Sequence, residues 1–115
     1  FMGIDKRKDD RYRKRLSLKF GDSADALLKI GFTEDISETG IFIRSPAPVG
    51  PNTILFVEIK TTKGETVLLK GRVMWAKKVP QNMMHRIKGG MGLLITEFIE
   101  NEYIYNLLCE YRKMR

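Results

Sequence analysis

Two short stretches hold the side chains best able to do chemistry. Asp35-Ile36-Ser37-Glu38-Thr39-Gly40 sets a carboxylate, a hydroxyl and a glycine close together, and Arg11-Tyr12-Arg13-Lys14-Arg15 sets two guanidinium groups four residues apart. An ionised Asp35 can only accept, and it can take paired hydrogen bonds from a donor edge such as the ring N–H and exocyclic amine of guanine. If residues 34–37 continue a strand, Asp35 and Ser37 share a face. Ser37 can donate to a phosphate or accept from a base, and Gly40 lets a ligand approach the backbone closely. Arg11 and Arg15 share a face of an extended chain, about 13 Å apart, or are neighbours on a helix. Arginine grips phosphate through two parallel N–H bonds, reads the O6/N7 edge of guanine in the same way and stacks on planar rings. Together these residues describe a site for a small, planar, anionic ligand. The same residue types also make ordinary turns and solvated tails, so the elements that carry them matter.

Residues 2–15 are polar and charged without apolar period, and they read as a mobile basic arm. Leu16, Leu18 and Phe20 alternate with polar residues as a strand does. A turn cluster at 21–25 precedes a second expected strand over 26–33, in which Gly31 predicts a bulge or a close backbone approach. Ile41-Phe42-Ile43 is a buried strand ended by Pro46, Pro48 and Pro51, and Ile54–Lys60 is a long strand. Lys63-Gly64 marks a turn, residues 67–76 form a strand bent at Gly71, residues 77–90 are a polar loop, and Met91–Thr96 closes the set. Ile99, Tyr103, Ile104, Leu107, Leu108 and Tyr111 then recur at helical spacing, predicting an amphipathic helix from about Asn101 to Lys113. Arg112 and Lys113 in its last turn, and Glu100 and Glu102 near its start, suit the helix dipole. The pattern predicts an all-β fold with one helix: a small antiparallel barrel plus a C-terminal α-helix. The chain divides into a basic arm (1–15), a barrel (16–98) and a helical tail (99–115), all one domain.

Composition narrows the function classes. The chain has 115 residues, 43% of them hydrophobic and 30% charged, as expected of one soluble globular domain. No apolar run approaches a membrane span, and the basic start lacks the apolar stretch of a secretory leader, so the cytoplasm is the expected compartment. A single cysteine, Cys109, and a single histidine, His85, leave no disulfide, no metal site and no histidine-based triad. No nucleophile is paired with a base, so the expectation is a binding protein and not an enzyme. The formal charge is +7, and residues 1–20, with eight basic side chains against three acidic ones, carry +5 of it. A basic arm ahead of a near-neutral body points to an anionic partner.

Four motifs in order carry a family resemblance. An RxxxR segment just before the first strand and a D-x-S-x-x-G turn leading into Ile41-Phe42-Ile43 resemble the PilZ domain family. Gly71-Arg72-Val73-Met74-Trp75 is similar to that family's later G-x-V-x-W strand, and the run from Gly90 to Phe98 to its closing strand. The likeness spans Arg11 to the C-terminal helix. It implies a six-stranded β-barrel that binds cyclic di-GMP, a bacterial second messenger, as ligand and with no cofactor. By that likeness Arg11 and Arg15 contact guanine and phosphate, Asp35 and Ser37 hold the other side of a guanine, and Gly40 shapes the turn. The arm would then order over the ligand. Arg7, Arg13 and Arg44 are further candidate contacts. Arg7 and Arg11 have the same RxxxR spacing; Arg11 and Arg15 are preferred because Leu16 starts the strand directly after them. In the family the residue just before the motif, here Asp10, bears on whether one ligand or a stacked pair binds, and the stoichiometry stays open. The resemblance also implies a downstream protein partner in motility, envelope or biofilm machinery.

Two other functions are compatible with a small basic barrel. One is a protein-interaction domain that binds no nucleotide. The other is binding of single-stranded nucleic acid, which lays aromatic side chains along a strand face. Phe42, Phe56 and Trp75 sit in apolar runs and are expected to be buried, which disfavours nucleic acid. Trp75 as a stacking platform is the alternative to that core role. Cys109 is expected to be buried filler in the helix.

Overall fold

The structure, a computed structural model, describes residues 15–83, 86 and 89–113. Arg7, Arg11, Arg13, Asp10 and His85 lie outside the described residues. Six strands run in chain order: β1 (Ser17–Gly21), β2 (Lys29–Ile36), β3 (Gly40–Arg44), β4 (Ile54–Lys60), β5 (Thr66–Lys77) and β6 (Gly90–Glu100). Among the described residues one α-helix, α1 (Glu102–Lys113), comes last. The strands close into a barrel in the order β1-β2-β3-β6-β5-β4, and every pairing is antiparallel. The six-stranded antiparallel barrel with a C-terminal helix is the expected architecture.

Period-two alternation builds the core. Leu16, Leu18 and Phe20 point inward from the first strand and its approach, Leu55, Val57 and Ile59 from β4, and Val67, Leu69 and Val73 from β5. Burying each such side chain contributes about 1.5–3 kcal/mol. Ile36, Ile41, Leu93 and Val73 pair in sequence across β2, β3, β6 and β5 and form one buried row. The residue on either side of each in its strand faces outward, so the next paired row lies on the barrel surface.

Several boundaries differ from the expected ones. β2 starts later and runs to Ile36, so Asp35 lies in the strand and the turn begins at Ser37. The bulge falls not at Gly31 but at Glu34, where Thr33 pairs with Ile43 and Asp35 with Phe42. Gly31 is instead a close approach, since a Cβ there would meet the Arg44 carbonyl oxygen at 2.5 Å. β6 extends to Glu100, and the 77–90 loop holds one 3₁₀ turn, Gln81–Met83.

The helix turns a different face inward from the one its apolar spacing suggests. Ile104, Tyr105 and Cys109 are buried and Leu108 packs against the core, while Tyr103 and Leu107 are exposed. Asn101 stands at the entry to the helix. It adopts the left-handed conformation at φ 64°, which asparagine tolerates better than most residues, and its side-chain amide donates to the Thr66 carbonyl at 2.7 Å.

Gly90 is a pivot that no other residue fits. Its φ is +147°, and a Cβ would lie 2.1 Å from the Ile43 carbonyl oxygen. Gly90→Ala is expected to destabilise the barrel by about 2–3 kcal/mol through strain and displaced pairing, seen as a lower urea midpoint with an unchanged slope.

Candidate ligand-binding site

The bulge at Glu34 positions the first functional side chain. An extra residue in one strand changes its local twist and re-aims the side chains beyond it. After Glu34, Asp35 faces outward opposite Phe42, and the row continues through Gly92 to Trp75. Asp35, Phe42, Gly92 and Trp75 therefore cross four strands on the outer face. Asp35 is 9% exposed and Trp75 is 47% exposed. Gly92 is the gap in this row, because a Cβ there would meet the Trp75 indole nitrogen at 2.2 Å. Across that gap the indole reaches Phe42, with ring centroids 5.2 Å apart and planes tilted by 51°. Trp75 and Phe42 are thus not core residues, and Phe56 too is only partly buried, with the Lys70 ammonium 5.6 Å from its ring centroid. Strict alternation from Val67 to Val73 would turn Trp75 inward; a register shift between Val73 and Trp75 against β6 breaks the alternation at Met74 and turns the indole out.

The turn after β2 is built from its own side chain. The Ser37 N–H donates to the Gly40 carbonyl at 2.9 Å, and the Gly40 N–H donates to Ser37 Oγ at 3.3 Å. Ser37 is therefore not a second strand residue beside Asp35. Its hydroxyl organises the turn, with Glu38 and Thr39 exposed at the tip. The Thr39 carbonyl accepts from the Ile95 N–H at 2.9 Å, which ties the tip to β6. The Tyr105 hydroxyl donates to the Ser37 carbonyl. Asp35, Ser37, Gly40, Phe42 and Trp75 together line a shallow depression of about 330 Å³.

The basic side comes from the root of the arm. The Leu16 N–H donates to Thr33 Oγ1 at 2.9 Å, and the Thr33 N–H returns to the Leu16 carbonyl at 2.9 Å. Thr33 is fully buried, so this pair of hydrogen bonds pins the chain where it enters the barrel. Arg15 is held next to β2 as a result. Its guanidinium lies 5.5 Å from the Phe32 ring centroid and 3.6 Å from Glu34. Arg44 reaches the same carboxylate oxygen at 3.8 Å from β3. Arg15 is more than half exposed, so its ion pair contributes little stability; its effect is to fix position. Arg44 and Phe32 also border a neighbouring groove of about 570 Å³ that passes Lys19 and Lys60.

Of the sequence-derived candidates, Asp35, Ser37 and Gly40 come together in one depression. Arg15 and Arg44 meet at Glu34 beside it. Arg7, Arg11 and Arg13 fall outside the described residues. Reading the sequence missed Thr33, Glu34 and Tyr105. Thr33 and Glu34 looked like ordinary strand residues, and only the cross-strand register reveals the pin and the bulge. Among the described residues, no three His, Cys, Asp or Glu side chains are grouped to hold a metal, and no helix is long and apolar enough to cross a membrane.

A closed barrel with an acceptor, a tight turn, aromatic rings and arginines on one outer face defines a small binding module. A family model for the PilZ domain matches residues 5–103, and the chain belongs to that family. PilZ domains are cyclic di-GMP-binding receptor domains and not enzymes. No curated protein and no solved structure matches the chain.

The single tryptophan reports on the aromatic row. Gly92→Ala is expected to push the indole off β6 and away from Phe42, shifting Trp75 emission to the red. An unshifted spectrum would show that the row does not depend on the gap.

Proposed function

We propose that this protein is a cyclic di-GMP receptor of bacterial second-messenger signalling. The observation that carries the reading is the meeting of both motif groups on one outer face: Arg15, pinned through Leu16 and Thr33, stands beside the bulge that presents Asp35. In this reading Asp35 accepts from the guanine donor edge, and the Ser37–Gly40 turn brings backbone and hydroxyl to the ligand. Arg11 and Arg15 take phosphate and the guanine O6/N7 edge, with Arg44 as a further phosphate contact. The exposed Trp75 face, backed by Phe42, offers a surface on which a base can stack. Phosphate oxygens compete with the Glu34 carboxylate for Arg15 and Arg44, so binding redistributes existing ion pairs. Ligand-driven ordering of the basic arm over the barrel then changes the surface shown to a downstream protein in motility, envelope or biofilm machinery, in the cytoplasm. No cofactor is required.

The outward placement of Phe32, Phe42, Phe56 and Trp75 on a basic barrel also favours a second reading, binding of single-stranded nucleic acid. Salt separates the two, since strand binding weakens steeply as phosphate contacts multiply along a groove.

Isothermal titration of the full chain with cyclic di-GMP, with GTP and a short single-stranded oligonucleotide as controls, tests the reading. Saturable binding to cyclic di-GMP alone is expected. Arg11→Ala, Arg15→Ala and Asp35→Ala should each weaken it by about 10- to 100-fold, as loss of a charge-assisted hydrogen bond does. Parent-like binding by all three variants would place the ligand elsewhere. Binding of the oligonucleotide alone, with steep salt dependence, would favour the second reading.

A further inference from the structure

Tyr105 of the C-terminal helix reaches the Ser37–Gly40 turn. Tyr105 is fully buried, and its ring packs on Phe98 with centroids 5.2 Å apart. Its hydroxyl donates to the Ser37 carbonyl and lies 3.4 Å from the Gly40 carbonyl. Both acceptors belong to the turn that bears the Ser37 hydroxyl. In a tight hairpin turn the first residue's carbonyl commonly accepts from the N–H three residues on. Here Tyr105 occupies the Ser37 carbonyl, and the Gly40 N–H goes to Ser37 Oγ at 3.3 Å. The tyrosine thus anchors the backbone of the same turn whose Ser37 hydroxyl takes the Gly40 N–H.

We propose that Tyr105 is a positioning residue for the nucleotide site, and that through it docking of α1 and occupancy of the site are thermodynamically coupled. The proposal rests on the cyclic di-GMP reading of the site. The coupling is reciprocal. If the docked helix holds the Ser37–Gly40 turn in its binding shape, a ligand that prefers that shape must hold the helix more firmly. Two further contacts make the helix a unit able to carry this effect. Asn101 fixes its entry through Thr66, and Ile104 and Cys109 anchor it in the core on either side of Tyr105. The exposed Tyr103 and Leu107 lie on the same helix, so a change in its docking is presented to the outside.

The test uses the full chain and Tyr105→Phe, which keeps the ring against Phe98 and removes only the hydroxyl. Cyclic di-GMP affinity is measured by titration. Backbone hydrogen exchange of residues 37–40 and of α1 is monitored with and without ligand. The expected result is roughly a tenfold loss of affinity, with a parent-like far-UV spectrum. Ligand should slow exchange in α1 of the parent, and that slowing should be lost or much reduced in Tyr105→Phe. A tyrosine with a merely structural role would lower overall stability and leave the ligand-induced slowing intact. Parent-like affinity in a folded Tyr105→Phe overturns the proposal while leaving the receptor reading in place. If the variant fails to fold, the parent alone decides: no change in α1 exchange on saturation overturns the coupling, and slowing confined to the turn and α1 supports it. A parent that does not bind cyclic di-GMP overturns the receptor reading and this proposal with it.

Discussion

Closing six strands on themselves leaves an interior that side chains fill. Alternation assigns every second residue to that interior, and the remaining places face outward in rows that cross the strands. The row of Ile36, Ile41, Leu93 and Val73 packs the core, and the neighbouring row of Asp35, Phe42 and Gly92 is left on the surface, joined by Trp75 through the register shift between Val73 and Trp75. Binding chemistry in such a barrel is therefore surface chemistry. It needs a way to make a convex wall grip a ligand. Gly92 supplies a gap, Trp75 and Phe42 supply walls, and the bulge at Glu34 turns Asp35 toward them.

A surface site also needs its charges held in place without burying them. The pin between Leu16 and Thr33 does this for the arm, because it fixes the residue next to Arg15 by two backbone-directed bonds inside the barrel. Glu34 then stands between Arg15 and Arg44. An acid between two arginines lowers their mutual repulsion and orients both forks. Of the three, only Arg15 is more than half exposed; Glu34 and Arg44 are mostly covered.

Much of this was legible beforehand. The strands read at 54–60 and 67–76, the hairpin turn at Lys63-Gly64 and the existence of α1 follow from period and turn chemistry, which are local properties. Asp35, Ser37 and Gly40 stood out because short acceptors and glycine concentrate in a turn. The aromatic residues did not read correctly. Trp75 has the inward parity of Val67, Leu69 and Val73 in the strand, and only the register shift against β6 turns it out. The helix face was misread because its apolar residues cover more than one stripe, and only packing against the barrel shows which stripe docks.

The sequence by itself determined the barrel-and-helix architecture, the family and the residue types offered to a ligand, since strand period, turn residues and charge placement act over a few neighbours. Tertiary structure decided where those residues stand. The bulge at Glu34 depends on how β2 registers against β3, the pin at Thr33 on an approach from seventeen residues away. The grip of Tyr105 on Ser37 joins residues 68 apart in the chain. Such contacts arise only once the barrel has closed, because closure and not local preference brings the two ends of each pair together.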